Sequence, residues 1–383
     1  MLFRKRPSPR VTDAFSSVHR LVEMDEFDVE VDPGRHVVPA YPGQSSALLT
    51  ACFAQGRLPN RLTLKLGMVE DGYLWIGPRQ DGVLIDRTGA LLDKFRMFRH
   101  DRTPVPSPEE LRRSAIPLDR DVFTSVDCAW GNYYHWLCFG VARALLARRI
   151  AGFDADIVVP DYRESTKRWR MGMSRRTWEQ TLDLSGMSDR ILRLKPGIYS
   201  FRRGYGLFLD QAEDTLVTCL PAFDRAFEPL RARLRVNPAS PRRLLIARRD
   251  KQRLGDAEAG RVMAQAESRG FTPVYPEDHD FLQQAELFHN ADAVIAAHGA
   301  ALTNLLFGRR SLKVLEINRH LSNEPHLRPW MYFLARNRGQ DYRFLNASEG
   351  DLETDRLKAA IDSLCEPGSS PEPWFHLDPR GAD

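Results

Sequence analysis

The sequence predicts an α/β protein built from two Rossmann-like domains behind a β-rich N-terminal extension. Three observations lead there. From Phe123 onward, short apolar runs alternate with helix-periodic segments, which is the pattern of parallel βαβ units. The alternation breaks once, at Asn237-Pro238-Ala239-Ser240-Pro241, and resumes more regularly afterwards. Finally, the apolar run Ala293–Ala297 ends in His298-Gly299-Ala300 before a new helix starts near Ala301. A strand–turn–helix junction of this kind gathers unbonded backbone N–H groups at the positive end of a helix. Such a point binds phosphate.

Length and composition agree with a folded two-domain chain. It has 383 residues, of which 43% are hydrophobic and 28% charged. The net charge of +4 is small and no basic block stands out, so a nucleic-acid partner is not expected. Arginine supplies most of the positive charge, since there are only eight lysines. Its planar guanidinium suits bidentate contact with phosphate or carboxylate. The five cysteines, Cys52, Cys128, Cys138, Cys219 and Cys365, are scattered and odd in number, as in a reducing compartment. The first ten residues are basic but lead into no apolar core region. No stretch approaches the ~18 apolar residues of a membrane span. These features predict a cytoplasmic protein, with loose attachment to the inner face of the membrane open through the basic N-terminus.

Taken in order, residues 1–22 read as a flexible start. Residues 23–236 form the first domain. Its β-rich opening rests on Gly72–Pro78 and Gly82–Leu92, short strands joined by Gly and Asp turns. Residues 101–119 carry four prolines and read as a loop. Phe123–Asp127 is a strand. A helix follows from about Tyr133 to Arg149, with Asn132 as its N-cap. Ile157–Pro160 and Ile191–Leu194 are strands, 164–186 is helical, and Phe223–Leu234 is a helix. Residues 237–365 form the second domain. Its strands are Leu244–Ala247, Thr272–Tyr275, Ala293–Ala297, Lys313–Ile317 and Tyr342–Leu345. Helices are expected at 256–269, 280–290, 301–307, 330–338 and 351–364. The tail 366–383 is rich in Pro, Gly and Ser and is expected to be disordered.

Two further segments join the His-Gly-Ala turn. One is Asn132-Tyr133-Tyr134-His135-Trp136. The other is Arg243-Leu244-Leu245-Ile246-Ala247-Arg248, with Arg253 a few residues on. Together with His298-Gly299-Ala300-Ala301-Leu302-Thr303-Asn304 and the strand Lys313-Val314-Leu315-Glu316, in this order, they resemble glycosyltransferase family 61, often called capsular polysaccharide biosynthesis proteins in bacteria. The resemblance covers about residues 120 to 345. The chain departs from the pattern at Ala247, where the family has Ser, and at Gly255-Asp256, where it has Asn-Glu.

The resemblance implies a GT-B architecture, with the nucleotide sugar in the cleft between the two domains. It also implies an inverting, metal-independent transfer of sugar from a nucleotide diphosphate donor to a hydroxyl of a glycan or lipid-linked acceptor. Capsule, exopolysaccharide or lipopolysaccharide synthesis is the implied setting. In this reading the backbone of Gly299, Ala300 and Ala301 faces the diphosphate. His298, Thr303 and Asn304 add contacts, and Arg248 and Arg253 pair with the leaving diphosphate. Glu316 holds the ribose hydroxyls. His135 is the general base, because a neutral imidazole accepts a proton from a hydroxyl; Asp127 is its rival or its orienting partner. Asn132, Tyr133 and Trp136 contact the acceptor or sugar.

No metal is expected: Cys128, His135 and Cys138 match no common zinc spacing, and no Asp-x-Asp run is present. No cofactor is expected beyond the donor substrate. Two other readings remain open. One is a non-catalytic assembly or binding protein that retains the fold. The other is a dinucleotide-dependent oxidoreductase, for which Gly204-Tyr205-Gly206 is an incomplete fingerprint.

Overall fold

The computed structural model describes residues 11–12, 17–20, 29–30, 61–62, 64–77, 82–92, 105–124, 129–150, 153–162, 173–209, 217–218, 220–249, 254–318, 330–346 and 355–366. Asp127, Arg253 and the expected tail from 367 lie outside them, as do most of the N-terminal segment and the first part of the expected 164–186 helix. The protein is mixed α/β. It divides into two compact units, one of residues 1–28 and 63–217, the other of 29–62 and 218–383.

The first unit carries two sheets. One follows the order Val11–Thr12, Leu91–Leu92, Gly82–Ile85, Tyr73–Ile76, Gly197–Ser200, Ile116–Pro117. Its Tyr73–Ile76 and Gly82–Ile85 strands pair antiparallel, as the Gly and Asp turns require. Asp86 closes the next turn by accepting from the Thr88 and Ala90 N–H groups. The other sheet runs Ile191–Leu194, Asp156–Pro160, Val122–Thr124, Arg203–Leu209, Leu64–Glu70, Ser17–Arg20. Its first four strands are parallel and its last two antiparallel to their neighbours.

Two expectations for this unit are corrected. The proline-rich 101–119 segment is not all loop: Pro108–Ser114 is an α-helix. Ser107 caps it by accepting from the Glu110 N–H, Pro108 occupies its first turn, and acidic residues open it while Arg112 and Arg113 close it. The helix after Asn132 is not uniform either. It is α over Tyr133–His135, π over Trp136–Val141 and α again over Ala142–Arg148. The Trp136 indole lies on Gly140, where a Cβ would stand 2.9 Å from the ring, and its Nε1 donates to Thr181 Oγ1 at 2.6 Å. That pair accompanies the widened turn.

The second unit is built on one parallel sheet. Its strands are, in sequence, Arg243–Ile246, Thr272–Val274, Ala293–Ala297, Lys313–Asn318 and Asp341–Asn346. Their order across the sheet is second, first, third, fourth, fifth. Leu245, Ile295, Leu315 and Leu345 pack on one face against Val262 and Ala266 of the Asp256–Glu267 helix and Leu357, Ile361 and Leu364 of the Asp355–Cys365 helix. The strands are apolar on both faces because helices cover both.

The segment after the third strand is a 3₁₀ helix, Ala300–Phe307, and not the α-helix expected there. All of Leu302–Phe307 is buried. Its carboxyl end is held by cations. Arg231 donates to Leu306 O at 3.0 Å, Arg338 to Gly308 O, and the Gln340 amide to Leu305 O at 2.9 Å. Both arginines pair with buried Asp224. Residues 223–234 are likewise not one helix but two short ones, Pro221–Ala226 and Glu228–Arg231, broken at Phe227 before Pro229. The Asn337 amide bonds the Thr218 and Leu220 carbonyls, which ties the start of this segment to the second unit. Asn237–Pro241, read as a linker, lies within that unit. Among the described residues no helix is long and apolar enough to cross a membrane.

Asp224→Ala removes the counter-charge of two buried guanidiniums. It should lower stability by about 3–5 kcal/mol in equilibrium urea denaturation. A change below about 1 kcal/mol would show that the pair is dispensable.

Candidate functional site

The strand order of the second unit fixes where a ligand meets the sheet. Between the first and third strands the chain direction of winding reverses, and open α/β sheets bind ligands outside the carboxyl ends of the strands at that point. Arg248 follows the first strand, and His298-Gly299 follows the third. The two strands are directly paired, Leu244 with Val294 and Ile246 with Ala296. Residues about fifty apart in sequence are therefore adjacent.

The contact is close. The Arg248 guanidinium lies over Gly299: a Cβ there would collide with Nη2 and stand 3.0 Å from Cζ. Gly299 is extended, with φ 165° and ψ 171°, so glycine serves here for room and not for an unusual backbone. Beyond it, the first hydrogen bond of the 3₁₀ helix runs from Leu302 N–H to Gly299 O at 3.0 Å. The N–H groups of Ala300 and Ala301 thus have no acceptor within the helix. A guanidinium and the amino end of a helix converge on one turn, an arrangement suited to an anion of phosphate size.

His298 is fixed beside this turn. Its N–H donates to Ile317 O at 2.8 Å, and its Nδ1 meets Glu316 Oε1 at 2.5 Å. The Tyr342 hydroxyl donates to Glu316 Oε2, also at 2.5 Å. Glu316 is 1% exposed and His298 8%. Burial, reinforced by the Glu316 charge, pushes the Tyr342 hydroxyl well above its ordinary range and keeps it a donor.

Glu316, Thr303 and Asn304 make contacts inside the unit, and Arg249 pairs on its surface. The Glu316 carboxylate, expected to hold ribose hydroxyls, is hydrogen-bonded to His298 and Tyr342. Thr303 and Asn304 are 0% exposed. The Asn304 amide bonds Ala301 O and Gln284 Oε1, and the Thr303 hydroxyl is buried without a partner. Both are packed within the helix. Arg249 is exposed and directed elsewhere: it pairs with Asp278 at 2.5 Å and stacks on Tyr275 at 4.3 Å.

In the first unit, Asn132 caps its helix by accepting from Tyr134 N–H at 2.9 Å. His135 stands in the first turn, half-buried, with its ring 5.4 Å from that of Phe139. Tyr133 and Trp136 are 5% and 1% exposed. Trp136, expected to contact acceptor or sugar, packs on Trp130 and Trp178, and its indole nitrogen donates to Thr181. Sequence reasoning missed Tyr342, Arg231, Arg338 and Gln340, although the register of the parallel strands places Tyr342 diagonally from Glu316.

These features define the second unit as an open, parallel α/β fold with a guanidinium-lined turn at its switch point. The family model described as Glycosyltransferase 61 matches residues 133–315, from the first turn after Asn132 to the fourth strand of the second unit. Over that span the chain is similar to the glycosyltransferase 61 family, whose description indicates glycosyltransferase activity. No curated protein matches the chain.

Gly299→Ala should leave stability within about 1 kcal/mol, because the backbone is extended and only the end of a flexible side chain must move. It should weaken binding of inorganic pyrophosphate by about tenfold in calorimetry, because the guanidinium is displaced. Unchanged affinity would remove Arg248 from the anion site. Tyr342 supplies a pH signature. Its ionisation is raised in the fold from the ordinary 10.0, so its contribution is complete below that pH and is lost as pH climbs beyond it. Tyr342→Phe should flatten the alkaline fall in stability measured by denaturation; an equally steep fall would contradict the burial of this hydroxyl.

Proposed function

We propose that this protein is an inverting, metal-independent glycosyltransferase of the GT-B class. It transfers a sugar from a nucleotide diphosphate donor to a hydroxyl of a glycan or lipid-linked acceptor, in capsule, exopolysaccharide or lipopolysaccharide synthesis at the cytoplasmic face of the membrane. The observation that carries the reading is the Arg248 guanidinium laid on Gly299 at the switch point. Two units, each with parallel strands, support the GT-B assignment.

In the reaction, the acceptor oxygen attacks the anomeric carbon from the face opposite the diphosphate. The bond from that carbon to the phosphate oxygen breaks, and the hydroxyl proton passes to a base. Charge grows on the leaving diphosphate as the bond opens. Arg248 and the amino end of the 300–307 helix oppose that charge, so their contribution is greater in the transition state than in the bound donor. His135 is the base in this proposal. Its ring is half-buried in a helical turn that Asn132 caps. Asp127 is the alternative base and Arg253 a second cation; both roles come from the family resemblance.

The test is transfer measured with a panel of nucleotide sugars. Arg248→Ala should lower turnover by about 10²–10³-fold. His135→Ala should lower it by about 10²-fold or more with donor affinity unchanged, and EDTA should leave the rate as it is. Near-normal turnover in Arg248→Ala would overturn the diphosphate role. Near-normal turnover in His135→Ala would move the base to Asp127, and loss of activity in EDTA would end the metal-independent assignment.

A further inference from the structure

Glu316 is a charge in the middle of an apolar sheet. An unaccompanied carboxylate there would be costly to bury. The register of the strands explains how it is accommodated. Glu316 lies opposite Ala296 on the third strand and Phe344 on the fifth. His298 stands two residues beyond Ala296, and Tyr342 two residues before Phe344. All three side chains therefore share one face, along one diagonal, with the carboxylate in the centre. Each carboxylate oxygen takes one of the two neighbours, both at 2.5 Å.

This arrangement decides the state of the imidazole. A carboxylate facing Nδ1 requires the proton to be on Nδ1, which donates to Glu316 Oε1. The other ring nitrogen, Nε2, makes no hydrogen bond among the described residues, and it is not among the fully buried polar atoms lacking a partner. The charged and titratable groups around the ring are Glu316, Tyr342 behind it, Tyr332 against Tyr342 with ring centroids 5.6 Å apart, and Arg248 over the adjacent Gly299.

We infer that Glu316 and Tyr342 are positioning residues that hold His298 with Nδ1–H turned into the sheet and Nε2 presented to a phosphate group at the Gly299 turn. The inference rests on the diphosphate reading of that turn. When phosphate occupies it, Nε2 takes up a proton from solvent or from a protonated phosphate oxygen and donates it in a hydrogen bond to the phosphate, and Glu316 supplies the counter-charge. Tyr342 fixes the second oxygen of Glu316, so the carboxylate cannot swing away from the ring. The logic is that of a carboxylate orienting a metal-bound or catalytic histidine, applied here to an anion site.

The test uses the full-length protein, labelled with ¹⁵N-histidine, and inorganic pyrophosphate. The His298 ring signals are assigned by their loss in His298→Asn. At a pH where the free ring is neutral, the wild type should show Nδ1 protonated and Nε2 bare. Glu316→Leu should shift the ring toward the Nε2–H form. Glu316→Gln keeps the shape and can still accept from Nδ1, but it removes the counter-charge and should weaken pyrophosphate binding by about tenfold. Tyr342→Phe, which leaves Glu316 unmutated but frees its second oxygen, should give a smaller loss with the same tautomer, so the inference stays testable if a Glu316 variant fails to fold. An Nε2–H tautomer in the wild type would overturn the positioning role. So would pyrophosphate affinity within about twofold of wild type in Glu316→Gln. If Arg248→Ala and His298→Asn both leave pyrophosphate binding intact, the diphosphate reading has failed and the inference falls with it. A working phosphate site with the wrong tautomer removes the inference alone.

Discussion

The Arg248 guanidinium fills the space that a side chain at Gly299 would need, and the rest of the candidate site is arranged around that contact. The first and third strands must be direct neighbours for a side chain leaving one to cover the turn leaving the other. That adjacency exists only because the sheet order places the second strand outside the first. Any side chain at position 299 would displace the guanidinium, so glycine is demanded by sterics and not by its backbone freedom. The topology creates the position and the glycine keeps it open. A cation then meets the unbonded amides at the start of the 300–307 helix.

The two ends of that helix are treated oppositely. Its carboxyl end is closed by Arg231, Arg338 and Gln340, with Asp224 compensating the two arginines inside the unit. Cations at that end complement the helix dipole and satisfy carbonyls that would otherwise be buried without partners. Its amino end has no such closure within the helix. The helix between them is buried around its whole circumference, which explains why Thr303 and Asn304 turn inward even though they sit next to the turn.

The strands of the second unit were legible because continuous apolar runs such as Ala293–Ala297 can only be covered on both faces. The position of the His298-Gly299 turn was legible for the same reason: a His-Gly-Ala after such a run can only sit at a strand's carboxyl end. The Pro108–Ser114 helix was hidden because its prolines read as breakers, although Ser107, Pro108 and Glu110 form a helix start. The 3₁₀ form of Ala300–Phe307 and the π turn of Trp136–Val141 depend on tertiary packing, on carbonyls captured from elsewhere in the unit and on an indole bonded to Thr181. The partners of Glu316 were hidden for a related reason. A carboxylate at a strand end looks available until the register reveals His298 and Tyr342 as its neighbours.

The measurement that tests the account most directly is calorimetric titration of the purified protein with UDP, GDP, CDP, CMP and NAD, with and without EDTA. The account predicts that one nucleoside diphosphate binds, that EDTA leaves its affinity unchanged, and that Arg248→Ala abolishes it. Binding of NAD alone, or diphosphate binding that survives the loss of Arg248, would contradict it.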